Sequence, residues 1–122
     1  MARFPDIFLY FTHKRIAYCL SIIVMDDCRM YWEMYRADKI YGFVDRKIGS
    51  GILALSDGAW NVRHVEIIGE TGKGLYGKIL KIINAKYGTI QSDTIRTECA
   101  DRAWRKIKGA AYDACLMVYI LA

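Results

Sequence analysis

The stretch GETGKGLYGKIL, residues 69–80, holds the residue types best suited to chemistry in this chain. Gly72, Lys73 and Gly74 come directly before apolar residues at helical spacing. The start of a helix offers unpaired backbone N–H groups and a partial positive charge, so an anion is welcome there. Glycines just before it let the main chain approach a phosphate, because no Cβ intervenes. The competing explanation is a plain strand-to-helix turn that needs positive φ. A Walker A loop is excluded twice: Ile67 stands at its first glycine and Gly74 at its hydroxyl. Gly72, Gly74 and Gly77 match the spacing of a dinucleotide fingerprint, with Asp93 at roughly the distance of its acid. The strand before them reads as half of a hairpin, however, not as the first strand of a parallel unit.

Other reactive side chains are scattered. Cys19, Cys28, Cys99 and Cys115 form no C-x-x-C pair, and His13 and His64 do not complete a metal-ligand spacing. No metal site is expected. Cys99 opens a helix, where a thiolate is stabilised, but no histidine lies near it in sequence to serve a thiol mechanism. No signal peptide is visible, and free thiols suit a reducing, cytoplasmic setting.

The elements that must position these groups are clearest after residue 48. GILALSDG and WNVRHVEII, separated by Asp57-Gly58, read as an antiparallel hairpin. Within the second strand, His64 and Glu66 share a face by the period-two count. Leu75, Ile79, Ile82 and Ile83 give a helix from about 75 to 86, stopped by Gly88. TIQSDTIRTE reads as a strand and a loop, CADRAWRKIKG as a helix with one basic face, and ACLMVYILA as a buried strand. Before residue 48, DIFLYF and IAYCLSIIVM are strands or parts of a buried helix. Asp26 to Phe43 is predicted as a helix, capped by an aspartate, with Met30, Met34 and Ala37 on one stripe. The whole is expected to be one domain (1–122) of α/β class. It would have a mixed, mostly antiparallel central sheet flanked by helices.

An apolar share of 54% against 25% charged residues excludes a disordered chain. IAYCLSIIVM is about half the length that a membrane span requires, so no membrane partner is expected. The net charge is +5, and much of it falls on the faces carrying Lys78, Lys81 and Lys86 and Arg102, Arg105, Lys106 and Lys108. A solvated basic face explains that, as does an anionic partner. Nucleic acid lacks an aromatic-basic motif here.

TGKGLYGKIL resembles motif A of the GNAT (acetyl-CoA-dependent N-acetyltransferase) superfamily, a Q/R-x-x-G-x-G/A loop running into an apolar helix. The stretch from Tyr76 to Trp104 is also similar to small bacteriophage proteins of GNAT type. The resemblance covers about residues 52–122 and leaves 1–48 as a divergent part. It implies that Thr71, Gly72, Lys73, Gly74, Leu75, Tyr76 and Gly77 grip the pyrophosphate of acetyl-CoA or a related acyl-CoA. It also implies N-acetyl transfer to a primary amine, in a host cytoplasm or a virion if the chain is phage-encoded. Thr71 stands where many members carry Arg or Gln, and Trp104 where many have a general-acid tyrosine; an indole delivers no proton.

For that chemistry a carboxylate or imidazole on the strand before the loop takes the amine proton. Glu66 is the first choice and His64 the second. Ser92 and Asp93, ending the next strand, are candidates to position the amine, against a role as turn or cap. Tyr112 and Tyr119 are the remaining sources of an acid. The alternative is a binding protein of structural or inhibitory kind that keeps the loop without turnover. A protein partner or a homo-oligomer is compatible with either.

Overall fold

The computed structural model describes residues 6–37, 44–68 and 74–122; the side chains of 44–46 are outside that description. Their order is β1 (Ile7–His13), β2 (Ile16–Met25), β3 (Arg29–Ala37), β4 (Val44–Ser56), β5 (Ala59–Ile67), α1 (Leu75–Tyr87), β6 (Ile90–Gln91), α2 (Glu98–Lys106), β7 (Ala110–Asp113) and β8 (Val118–Leu121). All eight strands join one sheet in the order β1-β2-β3-β4-β5-β6-β8-β7. The expected α/β layout, a central sheet flanked by helices, is therefore corrected. Among the described residues strand accounts for 53% and helix for 21%, and the sheet is curled, so that part of the chain is mostly β.

The largest source of that correction is the segment read as a helix from Asp26 to Phe43. It is strand β3 from Arg29 to Ala37, while residues 38–43 lie outside the described residues. Met30 and Met34 are four apart, a spacing that satisfies a helix and also the period of two. Trp32 decides the matter: Met30, Trp32 and Met34 are all fully buried, alternating with half-buried Tyr31, Glu33 and Tyr35. A register shift between Arg36 and Ala37 brings Ala37 back into the core. Asp26 and Asp27 cap no helix but make the β2–β3 turn, both with positive φ.

Strands β1 to β5 form an antiparallel meander. Its tight turns carry consecutive positive φ values at Lys14-Arg15, Asp26-Asp27 and Asp57-Gly58, the backbone that matches strand twist. The hairpin read at Asp57-Gly58 is present. One face of the meander supplies Leu20, Ile22, Met30, Trp32, Met34, Leu53 and Val62 to a single buried cluster. Helix α1 adds Leu75, Tyr76, Ile79, Leu80 and Ile83 to the same cluster.

After β5 the chain crosses over through α1 and returns as β6, parallel to β5. The closing segment read as one strand from Ala114 to Ala122 is a turn followed by β8, and β8 pairs with β6 on one side and β7 on the other.

Trp32 explains a glycine in the middle of β4. A Cβ added to Gly51 would lie 2.3 Å from Trp32 Nε1 and 2.4 Å from Cε2. The indole lies against bare backbone, and its buried N–H has no hydrogen-bond partner among the described residues. Gly51→Ala is expected to cost about 2–3 kcal/mol by overpacking. In a Trp32→Leu background the same change should cost at least about 1 kcal/mol less, as coupling between touching residues requires. Urea unfolding of the four variants measures both, and equal costs in the two backgrounds would remove the indole as the cause.

Candidate functional site

Strand β5 has nine residues, yet β6 pairs with it only at Trp60↔Ile90 and Asn61↔Gln91. From Val62 to Ile67, β5 is paired on the β4 side alone among the described residues. Into the space that opens, α1 directs its N-terminus and α2 its first turns.

Thr71, Gly72 and Lys73 lie outside the described residues. Gly74 is the N-cap of α1 and adopts a left-handed backbone, φ 76° and ψ 7°. It supplies no side-chain cap and the first turn of α1 carries no acid, so neither offsets the positive end of the helix. Gly74 itself is exposed, and a Cβ there would lie 3.7 Å from His13 Nε2. Leu75 points into the core. Tyr76 is buried and accepts a hydrogen bond from the Trp104 indole; burial pushes its phenol well above the usual tyrosine range. At Gly77 the missing side chain admits α2, because a Cβ would lie 3.2 Å from Ile107 Cγ1.

Between the two helices runs a groove of about 360 Å³. Lys78 and Lys81 line it from α1, Arg102 and Lys106 from α2, Lys108 from the segment after α2, and His13 from the tip of the β1–β2 hairpin. No carboxylate among the described residues lines it. Arg102 approaches Glu98 at 3.8 Å, whereas Lys78, Lys81, Lys106 and Lys108 meet no carboxylate among the described residues. Such a concentration of one charge beside a helix N-terminus favours a ligand with several negative charges.

Tyr76, Cys99 and Ala103 also line a second cavity, of about 170 Å³, bounded by Val65, Ile67, Thr97 and Ala100. This cleft is apolar and lies against the unpaired part of β5. Groove and cleft thus meet at three shared residues. Thr97 starts α2 by accepting a hydrogen bond from the Ala100 N–H at 3.1 Å, which fixes Cys99 at the junction. The thiol is exposed.

His64 and Glu66 are exposed and alternate with Val65 and Ile67 along β5. They occupy the opposite face from the residues that line the cleft. Ser92 is 2% exposed and fully engaged: its hydroxyl accepts from the Tyr119 N–H at 2.8 Å and donates to the Asp93 carbonyl at 3.1 Å. Asp93 accepts from the Thr94 N–H at 2.8 Å, a turn contact. Both also border a polar recess of about 210 Å³ with Asn61, Arg63 and Gln91. Trp104 is buried and stacked on Tyr119 at 6.1 Å, and Tyr112 meets Tyr119 edge-on at 5.0 Å.

Two features escape the sequence. His13 is sixty-one residues from Gly74 and nothing local marks it; only the hairpin brings them together. Arg96 ties the end of β6 to α2 and β8. It donates to the carbonyls of Asp93 at 2.6 Å and Met117 at 3.0 Å, pairs with Asp101 at 3.2 Å, and lies over the Tyr119 ring at 5.0 Å. Its only sequence signal is Asp101 five residues on, one turn into a capped helix. Among the described residues, no three of His, Cys, Asp and Glu gather in a metal-binding group.

Ser92→Ala is expected to destabilise the fold by about 1–3 kcal/mol, because it strands a buried N–H of Tyr119; a loss below that range would show that the hydroxyl is dispensable. Burial also raises the Cys19 thiol to about 11. A thiol reagent near neutral pH should therefore label Cys28, Cys99 and Cys115 in the folded protein and reach Cys19 only on unfolding. Labelling of all four at one rate would contradict this burial. Comparison of the chain with family models, with curated proteins and with solved structures returns no match.

Proposed function

We propose that this protein binds an acyl-CoA, with the phosphates in the basic groove and the thin acyl-carrying arm in the apolar cleft. One observation carries the reading: a cationic groove, lined by no carboxylate among the described residues, adjoins an apolar cleft and shares Tyr76, Cys99 and Ala103 with it. A ligand with a polyanionic head and a weakly polar tail matches that sequence of surfaces. The N-terminus of α1 at the carboxyl end of β5 adds partial positive charge where a pyrophosphate would lie. The similarity of TGKGLYGKIL to the cofactor loop of GNAT enzymes supports the same ligand.

A second reading, binding without acyl transfer, is favoured by the position of His64 and Glu66. Both lie on the face of β5 away from the cleft, and Trp104 and Tyr76 bond to each other in the interior. For transfer to occur, an acceptor amine would have to reach the cleft from the Glu66 side of the strand.

Acetyl-CoA is expected to stabilise the fold by about 2.7 kcal/mol at a hundredfold excess over its Kd, read as a rise in melting temperature. Lys81→Glu and Lys106→Glu should each weaken binding at least about tenfold, since each replaces an attraction by a repulsion, and added salt should do the same more gradually. Gly74→Glu should abolish the shift. No shift at millimolar acetyl-CoA would overturn the proposal. An equal shift with ADP or pyrophosphate would leave a polyanion site and remove the acyl arm. Acetyl transfer to a panel of amines, compared between the wild type and Glu66→Gln, separates the two readings: a rate lost with Glu66 establishes an enzyme, and no rate in either favours binding alone.

A further inference from the structure

The cleft beside the open part of β5 is where the acyl end of an acyl-CoA would lie, so the side chains that border it decide what happens to that end. Among the described residues three of them carry a nucleophilic atom: Tyr76, Thr97 and Cys99. The Tyr76 hydroxyl is buried, takes the hydrogen bond of the Trp104 indole, and is held protonated by its burial. The Thr97 hydroxyl is engaged as the cap of α2, where it accepts from the Ala100 N–H. Cys99 remains. Its thiol is exposed, and near neutral pH a thiol is a far better nucleophile than an aliphatic hydroxyl or a phenol. Cys99 also lines the cationic groove, so it stands where a ligand anchored by its phosphates would pass into the cleft. Cys28 and Cys115 are exposed too, but they line neither space.

The first turn of α2 adds what an acyl carbonyl under attack requires. The Ala100 N–H goes to the Thr97 hydroxyl and the Asp101 N–H to the Thr97 carbonyl at 2.9 Å. Those of Glu98 and Cys99 meet no acceptor among the described residues. Backbone donors beside a nucleophile stabilise the negative oxygen that forms on the carbonyl, and the nucleophile's own N–H commonly serves as one of them. The acids of this turn are directed to cations: Asp101 pairs with Arg96 at 3.2 Å and with Arg105 at 3.1 Å, and Glu98 approaches Arg102 at 3.8 Å. Arg102, Ala103 and Lys106 follow Cys99 at helical spacing and line the groove with it. His13 lines the same groove, so the tertiary structure brings to it the imidazole that the sequence around Cys99 lacks.

We propose that Cys99 accepts the acyl group of the bound acyl-CoA, giving S-acyl-Cys99 and free coenzyme A. The step rests on the acyl-CoA reading given above. In it the Cys99 sulfur bonds to the thioester carbonyl carbon, and the bond from that carbon to the coenzyme sulfur breaks. The coenzyme sulfur leaves with the electron pair and takes up the proton that Cys99 gives up. One thioester replaces another, so nothing is oxidised or reduced and the exchange runs in both directions. An acceptor on the protein itself also suits the position of His64 and Glu66 away from the cleft, because no amine has to be deprotonated.

Peptide mass spectrometry after incubation with acetyl-CoA, with a phosphine keeping the thiols reduced, tests the step. Acetylation at Cys99 should outpace that at Cys28 and Cys115 by at least about tenfold, because Cys99 alone of these gains from a bound donor. Desulfo-coenzyme A, which carries no thioester, should suppress the Cys99 rate and leave the other two unchanged. Neutral hydroxylamine and excess free coenzyme A should each remove the acetyl group. Cys99→Ser should lose the fast labelling, which Cys28→Ser and Cys115→Ser should keep. Equal rates at the three thiols would overturn the proposal, and so would a label that resists hydroxylamine and therefore sits on a lysine of the groove. A rise in melting temperature with acetyl-CoA but no acetyl group on Cys99 would overturn it and leave the binding reading standing. Absence of that rise would remove both.

Discussion

Strands β5 and β6 pair over two residues and then part. A parallel pair joined by a helix could have run the full length of β5, and the space beside Val62 to Ile67 would then be filled by backbone. It is not, because β6 ends where Ser92 turns its hydroxyl to the Tyr119 N–H and Arg96 gathers the carbonyls that follow. Once β6 stops, β8 continues the sheet on its far side and α2 moves in beneath the open stretch of β5. The groove and the cleft are the space left by this early termination.

Within that space the chemistry follows from small residues at two contacts. Gly74 offers the α1 N-terminus no side-chain cap, and Gly77 lets Ile107 approach until the two helices touch. With α1 and α2 so near, their solvated basic faces become the two walls of one groove. Lysines that repel each other at close range are costly without a counter-charge, and a bound polyanion would relieve them.

One turn and the limits of α1 could be read directly from residue types. Asp57-Gly58 marks its hairpin, and Gly88 ends α1 through its N–H to the Asn84 carbonyl. Met30, Met34 and Ala37 could not be read so, since a spacing of four satisfies both periods and the aromatic residues between them pack in a strand as well as in a helix. The paired alternation of Tyr31, Glu33 and Tyr35 becomes informative only when β2 and β4 lie beside it. Of the candidate site, the anion-friendly start of α1 was legible at Gly74. Ser92 and Asp93 were correctly placed at a strand end, where their polar groups hold the turn together.

By itself the sequence determined local matters: the turn at Asp57-Gly58, where α1 begins and ends, and which residues are too apolar to stay in water. These depend on steric and solvation preferences that each residue carries into any fold. Tertiary structure alone decided that β3 is a strand, that Val65 and Ile67 rather than His64 and Glu66 face the cleft, and that His13 reaches the start of α1. Each of these depends on which distant segment lies alongside, and a period of two or four names a face without naming its neighbour.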